Sequence, residues 1–181
     1  MKLKIGVMGS ASGVLEKSHK NLAYELGAII AEMNCITITG SCPGFPLESA
    51  RGAAENGGFV VGTSPALSEK EHIERYNSLT AYHDVLIYTG SGLMGREVVN
   101  IRTSDIVVIV GGHSGTLGEF SIAYDEGHLI GVLTGTGGIA DEIESIIKIV
   151  NKKTGAVVLY ESDPRILMEK LIAYHVKQQS Q

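Results

Sequence analysis

Tryptophan is absent from this chain of 181 residues, and phenylalanine (3), proline (4) and cysteine (2) are scarce. Each shortage excludes something. Cys35 and Cys42 are too few to staple a small secreted scaffold, and their spacing matches no metal-binding pattern. With 6% aromatics there is little material for stacking against single-stranded nucleic acid. Lys and Arg (15) are outnumbered by Asp and Glu (20), so a broad polyanion-binding surface is not expected. No apolar run is long enough to cross a bilayer, and the first residues lack the charged-then-apolar build of a secretory signal. A reducing, cytoplasmic setting without membrane attachment is the expectation. Cys35 opens an apolar run and reads as a buried small hydrophobe, whereas Cys42, in a loop, reads as accessible.

Glycine, by contrast, is plentiful (23), and no collagen-like or low-complexity period organises it. It punctuates alternating strand and helix signals. Short apolar runs at 3–8, 35–39, 59–62, 84–88, 106–110, 129–133 and 156–159 read as strands. Helical patterns fill 18–33, 46–56, 93–103, 116–126, 139–150 and 164–176. The polar stretch 64–83 holds a short helix start at Ser68, and residues 177–181 read as frayed. Repeated strand–helix alternation predicts an α/β fold: a Rossmann-like, doubly wound, mostly parallel sheet, with 1–181 as a single domain.

Sheets of this kind bind ligands beyond the carboxyl ends of their strands. Four small-residue loops follow strands directly: Gly9-Ser-Ala-Ser-Gly13, Gly40-Ser-Cys-Pro-Gly44, Gly90-Ser-Gly92 and Gly111-Gly-His-Ser-Gly115. On one rim they would make Gly9, Ser10, Ser12, Gly40, Ser41, Gly90, Ser91 and Met94 lining residues of a site. The first loop is not a dinucleotide fingerprint, because G-x-G-x-x-G spacing and an acidic residue after the second strand are both missing. It reads equally as a turn with Ser12 or Ser18 capping a helix. No P-loop motif occurs either.

The run Asp105 to Glu119 is the most informative. A strand apolar throughout opens into a loop poor in Cβ atoms, which leads into a helix start. Backbone amides there, from Gly112 through His113, Ser114 and Gly115 to Thr116, suit a phosphate. Glu119 follows one turn on. Thr116 and Glu119 also read as a capping box, each satisfying the other's backbone amide. Upstream, Arg96 stands early in a helix, where the dipole does not favour a cation. Either its guanidinium serves phosphate or ribose oxygens, or it is a surface residue paired with Glu97 or Glu25. His113 either contacts phosphate or replaces a glycine. His72 and His83 flank a segment that reads as a lid or a surface loop. The six histidines have no metal-ligand spacing.

At these residues the chain resembles the Lonely Guy-type proteins, phosphoribohydrolases once described as lysine decarboxylases. The likeness rests on Arg96, nine residues, then a strand ending in Gly-Gly-x-x-Gly-Thr-x-x-Glu, together with the 9–13 and 40–44 turns and 53–62. It implies a Rossmann-like fold shared with DNA-processing protein A. The implied activity is cleavage of the N-glycosidic bond of a nucleoside 5′-monophosphate, with Arg96 and Glu119 catalytic and no organic cofactor or metal. The family's Arg-Lys pair and Pro-Gly-Gly-x-Gly-Thr motif are altered: Glu97 replaces lysine, Gly111 proline, and His113 the second glycine. Those departures point to a divergent branch whose relatives include molybdenum-cofactor carriers, so a nucleotide or cofactor carrier without turnover is the alternative. The resemblance also implies a homodimer with a small-molecule partner rather than nucleic acid.

Overall fold

Ile106–Val110 has no exposed residue, because core side chains pack against both faces of the strand it forms. In the computed structural model, which describes residues 1–13 and 15–179, seven strands form one sheet. They are β1 (Lys4–Gly9), β2 (Ile36–Thr39), β3 (Phe59–Ser64), β4 (Val85–Tyr88), β5 (Ile106–Val110), β6 (Leu129–Leu133) and β7 (Val157–Glu161). Their spatial order is β4-β3-β2-β1-β5-β6-β7, and every neighbouring pair is parallel. The sheet is thus wholly parallel, which covers both faces and requires strands apolar on both sides.

Helices α1 (Lys17–Glu32), α2 (Phe45–Glu55), α3 (Glu69–Glu74), α4 (Gly92–Thr103), α5 (Ser114–Asp125), α6 (Ile143–Val150) and α7 (Pro164–Gln179) supply the crossovers. On one face Val7, Val108 and Val110 pack against Leu26 and Ile30 of α1, Phe45 of α2 and Leu167 and Leu171 of α7. On the other, Met8, Val107 and Ile109 meet Ile101 of α4, Phe120 of α5 and Ile143 of α6. Burying each such side chain is worth roughly 1.5–3 kcal/mol. Helices α1 and α2 approach closely because neither carries a side chain at the contact. A Cβ on Gly27 would lie 1.9 Å from the Ser49 carbonyl oxygen, and one on Gly52 2.0 Å from that of Tyr24.

Several boundaries differ from expectation. Helix α5 starts at Ser114, two residues earlier than read, and the 139–150 pattern divides into a 3₁₀ turn (Gly138–Glu142) and α6. Helix α7 continues to Gln179, so 177–179 are helical, while 180–181 lie outside the described residues. Ser68 does cap α3, accepting the Glu71 amide. The 64–83 segment is not merely a surface loop. His72 is fully buried, with Nδ1 2.8 Å from the Ser64 hydroxyl and Nε2 3.3 Å from the Leu79 carbonyl oxygen.

Strand β1 has β2, β3 and β4 on one side and β5, β6 and β7 on the other. The loops after β1 and β5 therefore lead away to opposite faces. A crevice opens between them at the carboxyl edge.

Candidate functional site

Gly111 and Gly112, immediately after β5, have φ of +58° and +111°, a region glycine enters without a Cβ penalty. Their amides are already engaged. Gly111 N–H donates to Thr136 Oγ1 at 2.8 Å and Gly112 N–H to Ser10 Oγ at 2.7 Å. Gly112 is therefore a brace rather than a free donor, and the open amides begin one residue later. Helix α5 has His113 as its N-cap residue with no side-chain cap among the described residues, so its first-turn N–H groups stand at the positive end of the helix dipole without a capping side chain. Thr116 and Glu119 form no capping box, since Thr116 is already in the third helical position. Its side chain packs on Gly112, 2.5 Å from where a Cβ would stand.

Helix α4 supplies the facing wall. Arg96, Glu97 and Asn100 are all buried on its inner side. The Arg96 guanidinium reaches the ends of β2 and β3, where it donates to the Gly40 carbonyl, to the Thr63 carbonyl at 3.2 Å and to Cys42 Sγ at 3.3 Å. Gly40 makes that possible, because a Cβ there would overlap the guanidinium. This explains an arginine near a helix start: it answers strand-end carbonyls. It also explains why Cys42, read as accessible, is buried. The surface-pair reading of Arg96 does not hold. Among the described residues Arg96 Nε is buried without a hydrogen-bond partner, and the buried Asn100 side chain faces the Glu119 carboxyl.

Glu97 lies over α5, with Oε1 3.4 Å and Oε2 2.8 Å from the positions that Cβ atoms on Gly115 and Gly118 would take. Glu119 points back from α5 toward α4. Burial pushes its carboxyl up to about 7; Arg96 opposes that, Glu97 adds to it, and Asn100 opposes it. Burial also raises Glu97, with Arg96 opposing. A carboxyl poised near neutrality beside an arginine and a helix N-terminus can exchange a proton with a bound molecule.

These groups converge on a cavity of ≈ 300 Å³. Of the residues singled out in the sequence, Gly9, Ser10, Ser12, Met94, Arg96, His113, Ser114, Gly115, Thr116 and Glu119 border it. Gly40 does not, because it lies against the Arg96 guanidinium, and buried Ser41 does not either; Gly90 and Ser91 are exposed at the head of α4, off the cavity. Ala11, Cys42, Leu93 and Glu97 line it although sequence reasoning passed over them as lining residues. A larger depression (≈ 410 Å³) at the opposite rim, beside Asp105 and His128, has no buried lining residue. The smaller cavity is where the buried charges and the helix start meet. Among the described residues no cluster of three or more His, Cys, Asp or Glu could hold a metal ion.

Residues 2–168 match the SLOG cluster4 family. The chain belongs to that family. A protein of Archaeoglobus fulgidus is 34% identical over 134 residues, 74% of this chain and 82% of that one. Among solved structures, TM1055 is 26% identical with a TM-score of 0.82, covering 96% of this chain and 99% of its own. The molybdenum cofactor binding protein of Rippkaea orientalis is 25% identical with a TM-score of 0.79, covering 96% and 98%. The molybdenum cofactor carrier protein of Chlamydomonas reinhardtii is 28% identical with a TM-score of 0.76, covering 95% and 99%. No helix among the described residues is long and apolar enough to cross a membrane.

Proposed function

We propose that this protein binds a phosphorylated small molecule, a nucleoside 5′-monophosphate or a phosphate-bearing pterin such as molybdenum cofactor, between the loops after β1 and β5. The observation that carries the reading is the uncapped start of α5, opening into a cavity whose far wall holds Arg96 and Glu119. Phosphate would lie on the amides of His113 to Thr116, with the Ser114 and Thr116 hydroxyls beside them. The carrier proteins among the structural relatives support this class of ligand. A formal charge of −5 and a small cavity favour a small molecule over nucleic acid. A cytoplasmic homodimer is part of the proposal. Exposed Leu93, Met94 and Val99 on α4, and Val85 and Ile87 on β4, give a second copy an apolar face near the cavity.

Glu119 favours a second reading, a Lonely Guy-type phosphoribohydrolase. Its carboxylate would take the proton of a water attacking the anomeric carbon, while the base departs with the electrons of the glycosidic bond. Glu97, where that family has lysine, speaks against it.

The test is calorimetric titration of the purified protein with nucleoside monophosphates and with molybdenum cofactor, and chromatography for released base. Saturable binding that Gly115→Asp abolishes, by placing an anion at the helix start, is the expected result. Base release that disappears in Glu119→Gln would establish the hydrolase instead. No binding by any member of the panel would end both readings.

A further inference from the structure

Glu97 is 5% exposed, borders the cavity and makes no hydrogen bond among the described residues. We infer that Glu97 determines specificity, its carboxylate accepting paired hydrogen bonds from the vicinal hydroxyls of a ribose on the bound phosphate ester. The site then selects ribonucleotides over deoxyribonucleotides and free phosphate. The inference rests on the phosphate-ligand reading above.

A carboxylate taken out of water without donors is costly, so something must complete it when the cavity is filled. Among the described residues the surrounding protein does not. Gly115 and Gly118 offer no side chain, and Arg96, its sequence neighbour, directs Nη1 and Nη2 to Gly40, Thr63 and Cys42. A second anion is repelled by Glu97 itself. A cation is disfavoured by the guanidinium and by the positive end of α5. What remains is a pair of neutral donors. Two adjacent hydroxyls match the two oxygens of a carboxylate, the pairing by which acidic side chains hold ribose in dinucleotide-binding folds.

Position selects the sugar over the base. Oε1 lies 3.4 Å from the Cβ site of Gly115, within the same first turn whose amides would hold the phosphate. The sugar directly follows its own 5′-phosphate; the base edge is farther along the molecule.

The decisive experiment titrates the full chain with AMP, GMP, CMP and UMP, with their 2′-deoxy and 3′-deoxy counterparts, and with inorganic phosphate. A ribonucleotide should bind on the order of tenfold or more tightly than either deoxy analogue. The isosteric Glu97→Gln, checked for an unchanged melting temperature, should bring that ratio close to one. The wild-type analogue series stands even if the variant folds poorly. Equal affinity of the native protein for ribo and deoxy ligands overturns the inference, as does discrimination among the four bases without regard to the sugar. Binding of a phosphorylated pterin but of no nucleotide also defeats it while leaving the proposed function intact. Silence across every phosphorylated ligand defeats both.

Discussion

The hydroxyl of Ser10 accepts the Gly112 amide at 2.7 Å, tying the loop after β1 to the loop after β5 across the point where strand order reverses. The Ser10 carbonyl also accepts the Phe45 amide at 2.9 Å, so one residue braces both sides of the crevice. Ser10→Ala leaves a buried N–H unpaired and should cost about 1–3 kcal/mol of unfolding free energy. Urea denaturation measures it; a midpoint equal to that of the parent would contradict this role.

Glu119 makes stability depend on pH. Its carboxyl is raised from the ordinary 4.5 to about 7 in the folded protein. The folded state therefore holds the proton more tightly than the unfolded chain. The associated stability is complete below about pH 4.5 and is lost as pH rises through about 7. Glu119→Gln, permanently neutral, should be more stable than the parent at pH 8, by roughly 1–3 kcal/mol. Near pH 4 the two should be nearly equal. Denaturant melts at both pH values decide; a difference independent of pH would show that the carboxyl is not held neutral by burial.

Two helical glycines should respond oppositely to alanine, although helix propensity favours alanine by about 1 kcal/mol at each. In Gly52→Ala the new methyl meets the Tyr24 backbone at 2.0 Å, and α1 and α2 must separate. A loss of stability is expected. In Gly118→Ala the methyl meets first the Glu97 Oε2, at 2.8 Å, the far end of a flexible side chain. Stability should hold or rise, while ligand affinity falls because Glu97 is displaced. Thermal melts paired with calorimetry separate the cases.

The apolar face on β4 predicts self-association. Val85 and Ile87 are 42% and 43% exposed, on the edge strand of the sheet, beyond the strands β1, β2 and β3 over which α4 lies. Light scattering should give twice the chain mass for the parent and the single-chain mass for Ile87→Lys. A monomeric parent would remove the dimer from the proposal.

Much of the architecture was legible because buried parallel strands are apolar throughout and glycine marks their ends. Ile106–Val110 and the turn after it are the clearest case. What escaped was set by contacts between residues distant in the chain. Nothing near Gly112 signals that its amide belongs to Ser10, and nothing near Arg96 points to Gly40 or Thr63 as acceptors. Cys42 was misread because loops are ordinarily wet, whereas this one lies beneath a guanidinium. Glu97 was passed over as a surface partner for arginine. Its spacing with Asn100 and Ser104, one inward helical stripe below Arg96, was the signal available for finding it.

The bare backbone at Gly118 carries a rule for comparing chains of this family. A methyl at 118 claims volume that the position-97 acid fills, 2.8 Å from its Oε2, whereas one at 115 only touches Oε1 at 3.4 Å. Positions 97 and 118 should change in concert from one homologue to the next. A homologue with a bulkier residue at 118 has evicted its acid, and with it the means of telling one sugar from another.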